Sequence, residues 1–177
     1  MANLTHAELL TPERVLFSGE AEAVILRADG NDTTFLANHM DYIGTVDICV
    51  MRIDGVRGDL PGGDGGTTPP PGSVAPTGEG DSAPSGEVRA AVHGGFVMVA
   101  DNRVTVVAGV AELAEEIDVG RAELALEAAE AARAAGDAAE AEAAEARARV
   151  RLEAAAKLEA ELSRLLTPQQ QGPAGGA

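Results

Sequence analysis

Tryptophan is absent from this 177-residue chain, tyrosine occurs once and phenylalanine three times. An interior built from such a sequence has to rely on Val, Ile, Leu and Met rather than on aromatic rings. The one cysteine, Cys49, excludes an internal disulfide, and its place inside an apolar run points to a buried, unreactive thiol. No apolar run approaches the roughly 18 to 20 residues that a membrane span needs. The opening Met1-Ala2-Asn3-Leu4-Thr5-His6 has neither the basic stretch nor the apolar core of a secretory leader. Basic residues are scarce, with 13 Lys and Arg against 29 Asp and Glu, a net charge of -16. That balance opposes binding to nucleic acid or to an anionic bilayer, both of which would repel the chain. A soluble protein is expected, reaching a membrane only through partners.

Catalytic groupings are equally thin. His6, His39 and His93 are scattered, and no Cys, His or Asp set has the spacing of metal ligands. Asp29-Gly30-Asn31-Asp32 begins like a calcium loop, but Thr34 stands where the loop needs Gly and Met40 where it needs Glu. Gly62-Gly63-Asp64-Gly65-Gly66 lacks the Lys-Ser/Thr that follows in a phosphate-binding loop. The sequence therefore points away from an enzyme and requires no metal or cofactor.

What is there divides in two. Short apolar or alternating runs at residues 4–10, 15–18, 22–27, 33–36, 45–53, 87–92, 96–100 and 104–108 read as strands separated by turn residues. Gly30-Asn31-Asp32 predicts a tight turn, and Asp101-Asn102 a two-residue hairpin in which both residues tolerate positive φ. Gly94-Gly95 predicts a bulge or a reversal. Residues 54–86 are dominated by Gly, Pro, Ser, Thr and Asp, including Thr67-Thr68-Pro69-Pro70-Pro71, and read as a flexible insertion in a hairpin loop without apolar groups to bury. With no helix among them, these strands suggest an antiparallel sandwich or barrel over residues 1–112.

From residue 113 the chain turns alanine-rich and helical. Asp118 is placed to cap the first helix, with Ile117 and Ala122 at the two positions of a hydrophobic staple. Arg121 falls at the third helical position, where a cation is mildly unfavourable, so a partner is expected for it. Gly136-Asp137 predicts a break and a new cap, with Glu140 completing a capping box, and Thr167-Pro168 ends a second helix near residue 166. Residues 167–177 read as a disordered tail. Leu124, Ala128, Ala132 and Ala135 are expected to face the second helix, whose own stripe includes Leu158, Leu162, Leu165 and Leu166. Facing alanines favour an antiparallel hairpin spanning residues 113–166, but they remove little area from water, so such a hairpin is weakly held.

Three stretches together carry a resemblance: Thr11-Pro12-Glu13-Arg14-Val15-Leu16-Phe17-Ser18-Gly19; Gly94-Gly95-Phe96-Val97-Met98-Val99 with Asp101-Asn102-Arg103-Val104-Thr105-Val106-Val107; and the joint Ile117-Asp118-Val119-Gly120-Arg121-Ala122. In order and spacing they resemble the epsilon subunit of the F-type ATP synthase. The resemblance covers most of residues 4–56 and 86–166. It implies an α+β fold, an N-terminal antiparallel β-sandwich followed by a C-terminal two-helix antiparallel hairpin. It also implies a non-catalytic central-stalk subunit that couples proton-driven rotation to ATP synthesis and restrains ATP hydrolysis through its helices. The partners so implied are the gamma subunit, the membrane c-ring and, through the helices, the catalytic beta subunit. The location implied is peripheral, on the cytoplasmic side of a bacterial membrane.

Site residues follow from the same resemblance. ATP is a candidate regulatory ligand, with Glu112, Ile117, Asp118, Arg121, Ala122 and Arg147 as candidate contacts. Ala128 stands where the family's first-helix arginine is expected, and Arg149 and Arg151 compete with Arg147 for the second. A capped joint carrying a surface ion pair is the plainer account of the same residues. Asn31, Asp32 and His39 fall where the family meets the c-ring, although the usual Pro-Gly-His is Ala37-Asn38-His39 here. Arg147, Arg149, Arg151 and Lys157 are candidates for the inhibitory contact with the catalytic subunit; ordinary i,i+4 pairs such as Glu145 with Arg149 and Glu153 with Lys157 would explain them too. A different class of protein also fits, a stand-alone β-sandwich ligand-binding module with a helical oligomerisation arm.

Overall fold

The computed structural model describes residues 3–57, 86–135 and 138–166 and, in the last helix, the side chains of residues 140–156. Eight strands and two α-helices follow in order, the strands in one unit (Met1–Leu113) and the helices in another (Ala114–Ala177). The strands are β1 (Thr5–Leu10), β2 (Val15–Ala21), β3 (Ala23–Ala28), β4 (Asn31–Leu36), β5 (Tyr42–Asp54), β6 (Glu87–Ala100), β7 (Arg103–Ala108) and β8 (Ala111–Leu113). They hydrogen-bond in the order β2-β1-β7-β6-β5-β3-β4, with β8 beside β6, in a sheet folded over as a sandwich. All pairings among the described residues are antiparallel except β1 with β7, which lies parallel and brings the start of the chain into the sheet.

Alternation sets the core. Ala7 and Leu9 of β1, Val24, Leu26 and Ala28 of β3, Val97 and Val99 of β6 and Val104, Val106 and Ala108 of β7 all point inward and are buried. Phe17 and Phe35 join them, whereas Phe96, Ile43, Met40 and Met98 are exposed, so the interior is a valine and alanine core with less Ile and Met than composition suggested. Val56 corrects the expectation that residues 54–86 bury nothing: it is 1% exposed and belongs to the core. The next residue, Arg57, still pairs with Glu20 through its N–H. The rest of that insertion, like the tail beyond residue 166 and the Gly136-Asp137 break, lies outside the described residues.

Two turns differ from expectation in an informative way. The β3–β4 reversal is Asp29-Gly30, with φ of 50° and 80°, and Asn31 and Asp32 already belong to β4. Two successive positive φ values give a turn whose twist matches the strands, and the Asp-Gly pair supplies it one residue earlier than the Gly-Asn-Asp reading. Gly94-Gly95 is no reversal, for β6 runs straight through it. Here β6 changes neighbour, from β8 (Val92 opposite Ala111) to β7 (Gly95 opposite Ala108). Asp101-Asn102 does turn the chain, with φ of 50° and 57°.

The helical unit begins with a 3-10 turn (Ala114–Glu116), followed by α1 (Val119–Ala134) and α2 (Ala138–Leu166). Arg133 meets Glu145 and Glu130 meets Arg149, a pairing that makes the two helices antiparallel. The buried face of α1 is Ala122 and Ala129, not the stripe through Leu124, which is 68% exposed. Ala128 and Ala135 also face outward, and Ala132 is half-buried. Ala122 starts the face because the staple with Ile117 fixes the rotation of the first turn. On α2, Ala141, Glu145, Ala148, Val150, Ala154 and Ala155 are buried, while the side chains of Leu158, Leu162, Leu165 and Leu166 lie outside the description.

Candidate functional site

At the joint, Asp118 is extended (φ -77°, ψ 100°) and its Oδ1 accepts the Arg121 N–H at 2.9 Å, the N-cap read from the sequence. Ile117 and Ala122 are buried beside it. The Arg121 side chain is exposed, and among the described residues its guanidinium has no ion pair. Arg147 is half-buried on α2, and among the described residues no hydrogen bond or ion pair links it to the joint. Glu112 lies in the strand unit, on β8 opposite Ala91, its carboxylate 3.8 Å from Nε2 of the buried His93 ring.

The second candidate region is the group of turns near β4. Asn31 and Asp32 are exposed; Asn31 donates to the Asp29 carbonyl at 3.0 Å, and Asp32 stands 3.6 Å from Arg27, its cross-strand neighbour. His39 packs edge-on against Phe35 (5.1 Å between ring centres) and Tyr42 (6.4 Å). Its Nδ1–H donates to the Met40 carbonyl at 2.7 Å, which fixes the tautomer. Sequence reading missed the two residues that hold these turns. Asn102 accepts the Asn38 N–H at 2.7 Å through its side chain and donates to the Leu4 carbonyl at 2.8 Å, tying three segments together. Asp29 accepts the Tyr42 hydroxyl at 2.6 Å and both the N–H and the hydroxyl of Thr45 at 3.0 and 2.7 Å. Asn102 was legible only as a turn residue and Asp29 only as the start of an incomplete calcium loop, since their partners lie far along the chain.

Those bonds have an acid-base consequence. The Tyr42 hydroxyl and then Thr45 hold the Asp29 carboxyl below its ordinary 3.8, and Asp29 in turn holds the Tyr42 phenol above its ordinary 10.0. The ionised carboxylate is the bonded form, so its stabilisation is present above the ordinary value and lost as pH falls through the lowered one. Tyr42 is the only tyrosine, so phenolate absorbance reports it alone. An alkaline titration is expected to give a midpoint above 10.0, returning toward 10.0 in Asp29→Asn. An unchanged midpoint in the variant would count against the bond.

On the outer face of the sandwich the strands assemble an apolar patch. Ile43 (75% exposed) stands opposite Met98 (51%), and Phe96 (62%) opposite Val107 (47%). Leu10 continues the row beside Val107, and Val15, itself exposed, beside Leu10. A patch reaching across five strands is the usual mark of a partner surface. Further along, Ser18 Oγ lies 3.3 Å from His6 Nε2 and Glu20 3.0 Å from His6 Nδ1. The order Ser-His-Glu imitates a nucleophilic triad, but Glu8 stands 3.4 Å from the same Nε2 and Ser18 sits within the paired β1–β2 ladder on an exposed face.

The four cationic candidates on α2 are placed unevenly. Arg149 is engaged, 2.5 Å from Glu145 and 3.8 Å from Glu130; Arg147 and Arg151 are half-buried; the Lys157 side chain lies outside the described residues. An open groove of 410 Å³ lined by Arg133, Glu142, Glu145, Ala146 and Arg149 runs beside them. Cys49 is half-buried, and burial pushes its thiol above its ordinary value. Among the described residues no helix is long and apolar enough to cross a membrane, and no group of three His, Cys, Asp or Glu could hold a metal ion.

Comparison with known proteins turns this geometry into an identity. The beta-sandwich domain of the ATP synthase Delta/Epsilon chain matches residues 4–60. The ATP synthase epsilon chain of Thermobifida fusca is 41% identical over 155 residues, covering 86% of this chain and 93% of that one. This chain belongs to the ATP synthase epsilon family. The epsilon chain of Streptomyces coelicolor is 37% identical over 156 residues (88% and 98% of the two chains), and that of Brevibacillus brevis 35% over 130 residues (73% and 77%). A solved chain of the Euglena gracilis mitochondrial ATP synthase, in the OSCP/F1/c-ring assembly in rotational state 1, shares the fold. Its TM-score is 0.54 at 20% identity, with 90% of this chain and 82% of that chain covered. The epsilon fold thus stands here as it was read, a β-sandwich followed by two helices.

Proposed function

We propose that this epsilon-family chain is a non-catalytic central-stalk subunit of the F-type ATP synthase, coupling proton-driven rotation to ATP synthesis and restraining ATP hydrolysis. The observation that carries this reading is the apolar face of Ile43, Phe96, Met98 and Val107, which a torque-bearing sandwich needs for a permanent partner, here the gamma subunit. The turns bearing Asn31, Asp32 and His39 would meet the polar loops of the c-ring, and the bonds of Asp29 and Asn102 would stiffen them against shear. At the joint, ATP would be a regulatory ligand, with Glu112, Ile117, Asp118, Arg121 and Ala122 toward its adenine and ribose end and Arg147 toward its phosphates. Arg147, Arg149, Arg151 and Lys157 would face the catalytic beta subunit once the hairpin opens. The chain would work on the cytoplasmic side of the membrane and be held there by the complex.

Removing residues 114–177 tests the division of labour. Assembly and proton coupling are expected to survive, while ATP hydrolysis by the complex rises about fivefold or more, the lower end of ordinary regulatory couplings. Loss of assembly, or unchanged hydrolysis, would refute the assignment of regulation to the helices.

A further inference from the structure

We infer that Glu145 is the latch of the helical hairpin: its buried carboxylate sets which turn of α2 lies against which turn of α1, and its release frees Arg133 and Arg149. The regulatory consequence rests on the proposed restraint of hydrolysis, whereas the latch itself does not.

Among the described residues, the rest of the α1–α2 contact does little to set a register. The buried apolar faces are mainly alanine, namely Ala122 and Ala129 on α1 and Ala141, Ala148, Ala154 and Ala155 on α2, with Val150 the one larger apolar side chain among the described residues. Each methyl returns little on burial, and alanines recur at three- and four-residue steps along both helices. Sliding one helix by a turn, about 5.4 Å, lays alanine on alanine again. A contact of this kind holds two helices near one another but leaves their alignment degenerate.

Glu145 removes the degeneracy. It is the only acidic residue buried among the described residues, at 7% exposure. Its Oε2 accepts Nη1 of Arg133 from α1 at 3.0 Å, and its Oε1 accepts Nη2 of Arg149, one turn further along α2, at 2.5 Å. Arg149 also reaches back to Glu130 of α1 at 3.8 Å, so the cluster crosses the helix pair twice. The two arginine side chains lie at the rim, 62% and 63% exposed, and reach inward to a Glu145 side chain that is 10% exposed. Shift the helices by a turn and Glu145 is still buried but has lost Arg133, leaving its charge only partly compensated. A buried polar group of this kind selects alignment in other paired helices for the same reason.

The same geometry links closure to charge. In the closed hairpin Arg149 serves Glu145 and Glu130, and Arg133 serves Glu145, so part of each charge is already compensated within the hairpin. Opening separates α1 from α2, and Arg133 loses its carboxylate while Arg149 keeps only the one on its own helix. Opening therefore leaves Arg133 without its carboxylate, a guanidinium that an acidic protein surface can take up, and releases Glu130 at the same time. Because the arginines sit at the rim, raised ionic strength is expected to loosen closure as well.

The test uses the full chain carrying Cys49→Ser, with spin labels at Glu123→Cys and Glu153→Cys, two exposed positions outside the cluster. Pulsed dipolar spectroscopy should give one narrow distance. In Glu145→Gln and in Arg133→Ala the in-register population should fall about tenfold relative to all others, the scale of one lost charge-assisted hydrogen bond. Arg147→Ala should leave it unchanged. Circular dichroism separates loss of register from loss of helix, and Arg133→Ala, which raises helix propensity, decides the matter if Glu145→Gln loses its helices. An unchanged narrow distance in Arg133→Ala overturns the latch. In the assembled synthase the same variants should deepen the restraint on hydrolysis. A broadened distance with unchanged hydrolysis would leave the latch standing and overturn the regulatory consequence.

Discussion

Gly95→Ala is expected to be the most damaging single methyl that can be added to the sandwich. A Cβ built at Gly95 falls against the Val107 carbonyl oxygen and lies 3.0 Å from Ala108 Cα, both backbone atoms of β7. Backbone in a paired strand has no rotamer to move to, so β6 and β7 must separate where Gly95 faces Ala108. Overpacking of this kind costs about 3 kcal/mol or more. For a domain of this size that is a fall in Tm of at least about 10 °C. Gly94→Ala is the internal control: a Cβ there meets only the Val46 carbonyl at an ordinary 3.5 Å, and the cost is the positive φ of 88°, about 1 to 2 kcal/mol. Thermal melts of the two variants, followed by circular dichroism, should therefore differ by several degrees, Gly95→Ala being lower. Equal melts would mean that β6 and β7 are not paired at this point.

Phe96→Glu is expected to leave the fold intact and to abolish tight docking. Phe96 is 62% exposed in the chain alone, so placing a carboxylate there changes stability by no more than about 0.5 kcal/mol. In the docked state the same position would lie at the middle of the Ile43, Met98 and Val107 face, where an aromatic anchor is typically worth about 2 to 4 kcal/mol. A buried unpaired carboxylate adds a desolvation penalty to that loss. Affinity for the gamma subunit should drop roughly thirtyfold or more, read by binding kinetics with purified gamma subunit or by recovery of the chain with the assembled complex. A variant that melts like the parent and still binds as tightly would show that this face is not the interface.

Both expectations come from places where the linear pattern underdetermined the outcome. Gly94-Gly95 signals an irregular strand in any reading, but whether the chain reverses or continues depends on which strands lie alongside. Here β8 and β7 share one edge of β6, and the glycines mark the change of neighbour. Phe96 illustrates the same limit: the linear pattern does not say which face of the strand it takes, and pairing sets it opposite Thr45 and Val107 on the outer face. Leu124 was misplaced for a related reason, because a sparse alanine pattern does not fix helix rotation and the staple at Ile117 and Ala122 does.

By itself the sequence determined the division into a strand-rich half and an alanine-rich half, the cap at Asp118, the hairpin at Asp101-Asn102 and the family. The first three rest on period, turn chemistry and capping, which are local properties of a few consecutive residues, and the family rests on the resemblance of three motifs in order and spacing. Only the tertiary structure decided that Asn102 ties three segments together, that Asp29 meets Tyr42 and Thr45, that the outer face of β5, β6 and β7 is apolar, and that Glu145 is buried between two arginines. Each of these depends on register between segments far apart in the chain, and register is settled by the packing of the whole unit rather than by any stretch of it.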